Sequence, residues 1–319
     1  MATSCEGREP SSKTKIWNVG VSPLTEGLTS GVSSHRKMAE RSRRKRDTLL
    51  AIWDWVKTNS PQTLEFSNSE VKHISTAQGF SNQFDVVHVD TTLKLPPLFI
   101  NEDVFLVNLG HRPGRHKFVR GYKNAYRELP PPERLSDPSP WTYVPGLLDD
   151  IDDSEAGILS LAFNRQIFAD FLFEDRDRRD LQIHIPRRTK VSFTYDIGDT
   201  QVTVKNLQVE VDFLVQGPEL VGLAEAKFVT DLNKMPNFGV LQLYLPYRRL
   251  MDLFEAKGVS VSVRPVFALG YRDPKVGTGI RLYEFRFPDS RKAWPVELVK
   301  SRDYILQHRA KSTSGTTAT

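Results

Sequence analysis

The chain has 319 residues, of which 39% are hydrophobic and 26% charged, proportions typical of a globular protein. At roughly 100–200 residues per domain, this length predicts two domains. No apolar run approaches the ~18 residues that a transmembrane helix needs, and the first 30 residues lack the apolar segment of a signal peptide. The only cysteine, Cys5, excludes an intrachain disulfide and a cysteine-cluster zinc site, and it favours a reducing cytoplasm.

The net charge of +5 is unevenly distributed along the chain. Residues 1–140 hold 20 Lys and Arg against 15 Asp and Glu, whereas residues 141–319 hold 24 of each. A basic half joined to a neutral half indicates a module that binds a polyanion, attached to a second domain. An ordinary solvated surface with a basic tail is the alternative.

Composition divides the chain into five segments. A leader of residues 1–35 and a tail of residues 311–319 are rich in Ser, Thr and Gly, which predicts disorder. A proline-rich stretch, residues 129–145, predicts a linker. The linker would separate an N-terminal domain (36–128) from a C-terminal domain (146–310).

The N-terminal domain is predicted to contain three helices followed by a β-hairpin. The first helix carries an apolar face around Trp53, and a capping box of Ser67 and Glu70 opens the second. Residues 81–89 are predicted to form the third helix, and the turn of the hairpin lies at residues 111–114. This element order is typical of a winged helix-turn-helix, a fold that binds DNA.

The hairpin region holds six basic residues and no acidic residue between positions 111 and 127. Such a segment is suited to neutralising phosphates along a duplex, although lysine on a solvated edge strand also prevents aggregation. The start of the third helix offers Asn and Gln, which pair with adenine in the major groove; helix capping is the alternative role. The candidate DNA-binding residues are Arg112, Arg115, Lys117, Arg120, Lys123, Ser81, Asn82 and Gln83.

The C-terminal domain alternates helices and strands. One helix is predicted over residues 154–175, beginning near Ser154, and another between Pro236 and Gly258. This order predicts an α/β (α+β) sandwich around a mixed sheet. The strand-like runs lie at residues 190–197, 201–215, 220–229, 262–271 and 279–287.

Two of these strands carry charged side chains that are expected to meet. Alternation puts Glu210 and Asp212 on one face of the second strand, and Glu225 and Lys227 on one face of the third. A Gly-Pro turn at residues 217–218 makes the two strands antiparallel neighbours. We therefore expect Asp212 and Glu225 to lie side by side, with Lys227 one step along.

This combination of side chains predicts a metal-dependent hydrolytic site. Two carboxylates that converge repel each other unless a cation lies between them, and oxygen ligands of this kind suit Mg²⁺. A neighbouring ammonium orients or deprotonates a metal-bound water and stabilises charge on a transition state, which serves phosphodiester hydrolysis. A cross-strand salt bridge of Lys227 with Asp212 or Glu225 is the structural alternative.

The pattern of a helix, an Asp on one strand, Glu-x-Lys on the next and a following helix resembles the PD-(D/E)xK nuclease superfamily. The resemblance covers roughly residues 150–287. It implies that Asp212, Glu225 and Lys227 form the catalytic triad, with Asp212 and Glu225 as ligands of Mg²⁺.

The same resemblance implies two further site residues. Glu155 matches an extra acid beside the metal, and Gln242 matches the glutamine of the motif on the helix after the sheet; a capping acid and an exposed helix residue are the alternatives. Val211 stands where the superfamily commonly has proline. If the register differs by two residues, Glu210 replaces Asp212.

A winged helix before such a core resembles the type II restriction endonucleases of bacteria and archaea. The resemblance implies a cytoplasmic enzyme that cleaves double-stranded DNA with Mg²⁺, leaving 5′-phosphate and 3′-hydroxyl ends. It also implies a DNA methyltransferase as functional partner, and a homodimer is one expected assembly. A repair, recombination or transposon-end nuclease and a catalytically inactive DNA-binding regulator are the alternatives. The intact triad argues against the inactive regulator.

Overall fold

The computed structural model of the chain describes residues 29–110, 114–130, 139–144, 154–185, 188–273 and 277–308. The chain divides into two units, residues 1–41 and 42–319. The first unit is described only from Thr29, where the first helix begins, so this helix includes the last seven residues of the predicted leader. The sheets, the cores and the candidate site all belong to the second unit. The predicted tail, residues 311–319, lies outside the described residues.

The described residues form eight α-helices and fourteen β-strands. The helices are α1 (Thr29–Asn59), α2 (Asn68–Ala77), α3 (Gln83–Val86), α4 (Pro97–Asn101), α5 (Tyr122–Ala125), α6 (Glu155–Asn164), α7 (Ile167–Phe173) and α8 (Val240–Ala256). The strands are β1 (Glu65–Ser67), β2 (Val104–Gly110), β3 (Arg115–Arg120), β4 (Tyr126–Glu128), β5 (Ser139–Tyr143), β6 (Gln182–His184), β7 (Thr189–Ile197), β8 (Thr200–Val209), β9 (Phe213–Gln216), β10 (Leu220–Val229), β11 (Asn237–Gly239), β12 (Ser262–Asp273), β13 (Gly277–Arg286) and β14 (Glu297–His308). None of these helices is both long and apolar enough to cross a membrane.

A seven-stranded mixed sheet forms the centre of the second unit, in the order β5-β14-β13-β12-β10-β9-β6. β10 and β12 are parallel and are connected through α8, whereas β9 and β10 are antiparallel. α6 and α7 pack on one face of this sheet, and α8 packs on the other. Because both faces are covered, most residues of the central strands are apolar. The mixed α/β class predicted from the sequence is therefore confirmed.

A second, five-stranded sheet has the order β1-β3-β2-β8-β7. It joins the hairpin β2–β3 of the N-terminal half to the hairpin β7–β8 of the C-terminal half, through a parallel contact of Gly110 with Lys205. Gly110 has φ +75, and a Cβ there would clash with the carbonyl oxygen of Lys205. Glycine is therefore the residue that permits the two hairpins to share one sheet.

The structure differs from the predicted division into two domains with a linker. One hydrophobic core contains side chains from both predicted domains, among them Trp53 and Phe118 from the first and Val204 and Leu243 from the second. Within the predicted linker, residues 139–143 form β5, an edge strand that pairs with β14. Proline is compatible with an edge strand, where its missing N–H costs no ladder hydrogen bond. A proline-rich composition therefore did not distinguish a linker from this strand.

Several helix boundaries differ from the predicted ones. The helix predicted over 154–175 is two helices, α6 and α7, separated by Gln166 with φ 62. The helix predicted from Pro236 begins at Val240, because residues 237–239 pair with β4 as β11. Its end matches the prediction: Gly258 has φ +63 and its N–H donates to the carbonyl of Glu255. The third helix is only α3, four residues long, in place of 81–89.

The strand predicted over residues 201–215 is also interrupted. The chain leaves the five-stranded sheet at the end of β8 and enters the seven-stranded sheet at β9, so residues 210–212 belong to neither strand. Val209 and Val211 pack in the core beneath α8, whereas Phe213 packs in the core beneath α6 and α7. The alternation expected to put Glu210 and Asp212 on one strand face is therefore wrong.

Candidate active site

Asp212 occupies the junction between β8 and β9. Its Oδ2 accepts a hydrogen bond of 3.1 Å from the backbone N–H of Ala226 in β10. The β9–β10 register pairs Phe213 with Ala224, so the next residues along each strand, Asp212 and Glu225, are neighbours. The predicted meeting of these two carboxylates is therefore present, although Asp212 reaches it from a loop position.

Glu210 does not take part in this contact. It is exposed, its Oε1 lies 3.0 Å from Nε of Arg188, and it accepts a hydrogen bond from Gln208. Since Asp212, rather than Glu210, is held against β10, the structure favours the register in which Asp212 is the site residue.

β10 presents Glu225 and Lys227 on the face opposite Ala224 and Ala226, as the alternation predicted. Nζ of Lys227 lies 3.3 Å from Oε1 of Glu225 and donates to the carbonyl of Ala226 at 2.9 Å. The cross-strand contact considered from the sequence is thus a contact along one strand, between Lys227 and Glu225.

Two helices add one side chain each to this cluster. Glu155 is the first residue of α6, placed there by the N-cap Ser154, and its Oε1 lies 3.0 Å from Nζ of Lys227. Gln242, in the first turn of α8, donates from Nε2 to Oε1 of Glu225 at 3.3 Å. The structure therefore brings together all five residues selected from the sequence: Asp212, Glu225, Lys227, Glu155 and Gln242.

The electrostatics of the cluster favour a bound cation. Burial raises the pKa of Glu225 to about 8; Lys227 opposes this rise and Asp212 adds to it. Burial alone would lower the pKa of Lys227, but the carboxylates of Glu225, Glu155 and Asp212 together raise it above its ordinary value. Lys227 is therefore an ammonium at neutral pH. The pKa of Glu225 stays raised even beside this ammonium, and a second cation would lower it.

The donor atoms of the cluster suit Mg²⁺. Among the described residues, no group of three or more His, Cys, Asp and Glu is arranged to hold a metal ion. Mg²⁺ needs fewer protein ligands, because it keeps several waters and is commonly held by one or two carboxylates. Asp212 and Glu225 supply two, and the buried Oε1 of Gln242 has no hydrogen-bond partner in the described part of the chain. These residues fit the cation that the sequence predicted.

A cleft of about 420 Å³ opens over these groups. Asp212, Glu225 and Gln242 line one side, and residues 87–90 with Asn108 line the other. The N-terminal half of the chain therefore forms a wall of the candidate site. Sequence reasoning missed this wall, because the only local signal was a pair of polar residues, His88 and Asp90, in an otherwise apolar run.

The basic residues of the hairpin differ in whether an acidic side chain lies beside them. Arg115 and Lys117 lie beside Glu65 of β1, with N–O distances of 2.7 and 4.0 Å. The hairpin segment contains no acid, but the pairing of β1 with β3 supplies one. Arg120 and Lys123 are exposed. Arg112 lies outside the described residues.

The three residues predicted to contact DNA bases, Ser81, Asn82 and Gln83, differ in their surroundings. Asn82 is the N-cap of α3, and its Oδ1 accepts from the N–H of Asp85 at 3.2 Å, which is the alternative role foreseen for it. Ser81 is exposed, and Oε1 of Gln83 is buried with no hydrogen-bond partner among the described residues. Ser81 and Asn82 are both exposed, but Oδ1 of Asn82 is already engaged in capping α3.

A family model, Domain of unknown function (DUF6997), matches residues 121–305. The match covers more than half of the chain, so the protein belongs to this family. The matched region includes all five residues of the cluster and the whole seven-stranded sheet except the last residues of β14. No curated protein and no solved structure matched the chain.

Proposed function

We propose that the chain is a Mg²⁺-dependent endonuclease that hydrolyses phosphodiester bonds of double-stranded DNA, and specifically a type II site-specific restriction enzyme. The observation that carries this proposal is the convergence of Asp212, Glu225 and Lys227 with Glu155 and Gln242. These side chains come from a junction, one strand and two helices. A cleft opens over three of them, Asp212, Glu225 and Gln242.

The order of the elements supports the nuclease assignment. A helical pair, two antiparallel strands, a helix and a strand parallel to the second strand follow one another as α6–α7, β9, β10, α8 and β12. Of this order, the resemblance to PD-(D/E)xK nucleases led us to expect a helix, the two strands and the helix that follows them.

The N-terminal elements support a DNA-binding role in the same way. α1, β1, α2, α3, the short helix α4 and the hairpin β2–β3 follow one another, and β1 adds to the hairpin beside β3. A winged helix-turn-helix has helices followed by such a hairpin. Because α3 has four residues, base contacts in this protein would depend on the loop after α3 as well as on the helix.

Each residue of the cluster would have a distinct role in the reaction. Asp212 and Glu225 would hold Mg²⁺, which supplies positive charge to activate water and to stabilise a phosphorane-like transition state. Lys227 is an ammonium at neutral pH, so it favours stabilising negative charge over accepting a proton. Glu155 holds Lys227 from the side of α6, and Gln242 orients Glu225.

Cleavage of unmethylated phage DNA by the purified full chain tests the proposal. Discrete fragments with 5′-phosphate ends should form with Mg²⁺ and not with EDTA. Lys227→Ala should form none, whereas Lys257→Ala should cut like the wild type. Lys257 is a matched control because it ends the same Glu-Ala-Lys tripeptide at the exposed end of α8.

Other outcomes of this assay would point to the alternatives. A continuous smear would favour a repair or recombination nuclease, and salt-sensitive binding without cleavage would favour an inactive regulator. Fragments from Lys227→Ala, or fragments in EDTA, would contradict the assignment of the site. A larger loss in Glu210→Gln than in Asp212→Asn would show that the wrong acid has been chosen.

A further inference from the structure

A second cleft, of about 510 Å³, adjoins the candidate active site. The two clefts share five lining residues, including His88, Asn108 and Gln208, so they form one continuous depression. The second cleft extends towards β3 and α2, away from Asp212 and Glu225. Whatever occupies it lies next to a substrate held at the catalytic cluster.

His116 of β3 lines this second cleft and is 3% exposed. Its Nε2 lies 2.7 Å from Oδ1 of Asn68, and since a carbonyl oxygen can only accept, Nε2 carries the proton. Burial lowers the pKa of His116 to about 4, so the ring is neutral at pH 7 and Nδ1 is a hydrogen-bond acceptor. Nδ1 is buried and has no partner among the described residues, a situation that destabilises a fold unless a ligand or water donates to it.

The rest of the second cleft combines an aromatic ring with polar groups. Phe84 of α3 is 64% exposed, so its ring is accessible to a ligand in the cleft. Asn68 and Asn206 contribute amides, and Lys190 contributes an exposed positive charge. A planar ligand that stacks on one face and bears N–H donors at its edge, with an anion attached, matches this lining.

We propose that the second cleft binds one nucleobase flipped out of the duplex, with Phe84 stacking on the ring and His116 accepting a hydrogen bond from it. The identification of the base as part of a DNA strand rests on the proposed function. Because the clefts adjoin, the base belongs to a nucleotide close to the scissile phosphate. Phe84 and His116 are then specificity-determining residues, and cleavage occurs within or directly beside the recognised sequence.

Binding of single nucleotides tests this cleft without any need for cleavage. The full chain is kept in EDTA, and each of the four deoxynucleoside 5′-monophosphates is titrated while binding is followed by saturation-transfer NMR. At least one should bind, with magnetisation transferred to base protons, and deoxyribose 5-phosphate, which lacks the base, should not compete. Phe84→Ser should weaken this binding about tenfold, a loss within the range measured when an aromatic partner of a base is removed.

The variants are chosen so that folding does not obscure the result. His116→Leu should also weaken binding, but it alters the core, so Phe84→Ser is the decisive variant because Phe84 is exposed. Ile185→Ser is its matched control: Ile185 is 73% exposed and does not line the cleft. Absence of binding by all four nucleotides, or equal binding by Phe84→Ser and the wild type, would overturn the proposal.

The outcome is separable from that of the cleavage assay. Nucleotide binding that depends on Phe84, in a protein that cuts no DNA, would support the cleft and refute the nuclease. Cleavage by a protein that binds no nucleotide would support the nuclease and refute the proposal for the cleft. If the protein both binds a nucleotide through Phe84 and cuts DNA, the fragments cut by Phe84→Ser should show an altered base preference within a few nucleotides of the cut.

Discussion

Replacing Glu225 by Gln should stabilise the folded protein when no divalent cation is present. Burial raises the pKa of Glu225 from its ordinary value of 4.5 to about 8, with Asp212 adding to the rise. A carboxyl whose pKa is higher in the folded state stabilises the fold fully below pH 4.5 and loses that contribution as the pH rises towards 8. Glutamine has the same shape and no charge, so the variant avoids this loss.

The size of the effect follows from the two pKa values. Each pH unit between the two changes the free energy of unfolding by about 1.4 kcal/mol, so the wild type loses about 3 kcal/mol between pH 4.5 and pH 7. The substitution changes the contact with Lys227 little, because Glu225 is largely protonated at pH 7 and Lys227 keeps the carboxylate of Glu155 at 3.0 Å. A gain of this size corresponds to a Tm higher by roughly 6 °C.

Thermal unfolding followed by circular dichroism between pH 5 and pH 8 in EDTA measures this difference. The Tm of Glu225→Gln should exceed that of the wild type by an amount that grows with pH, while Glu255→Gln, at an exposed position on α8, should follow the wild type. Adding Mg²⁺ should raise the Tm of the wild type more than that of Glu225→Gln, because a ligand stabilises the state that binds it. Parallel pH curves for Glu225→Gln and the wild type would refute the reasoning.

Three further predictions concern other parts of the molecule. Lys227→Ala should reduce the cleavage rate by at least ~10²-fold, the loss typical of removing one transition-state donor. A gel shift in Ca²⁺ should show that DNA binding is intact, and a near-normal cleavage rate would exclude the assigned role of Lys227. Arg120→Ala should flatten the salt dependence of DNA binding by close to one unit of log–log slope, and Arg115→Ala should flatten it less, because Glu65 already pairs with Arg115; equal slopes would show that this pair does not persist. His116→Leu should lose less stability than the wild type between pH 6.5 and pH 4 in acid titrations, because burial lowers the pKa of His116 to about 4 and protonating it favours unfolding; identical acid curves would contradict its burial as a neutral ring.

Local features of the chain were determined by the sequence alone. The capping box of Ser67 and Glu70 begins α2, and Ser154 caps α6, as their side chains predict. Gly258 follows the end of α8 with a positive φ, a conformation that glycine adopts without strain. The approach of Asp212 to Glu225 was also predictable, because a short Gly-Pro turn fixes the register of the strands on either side of it. The signals for these features lie within a few residues of one another.

Contacts between distant parts of the chain were decided only by the tertiary structure. The pairing of Gly110 with Lys205 joins two predicted domains into one unit, and the pairing of β1 with β3 places Glu65 beside Arg115. Hydrogen bonds between strands use backbone groups that every residue except proline possesses in full, so they leave no periodic signal in the sequence that identifies the partner strand. The burial of His116 was likewise decided only by the tertiary structure. Histidine is found both at the surface and in the core, and the packing of β3 against its neighbours determines which applies here.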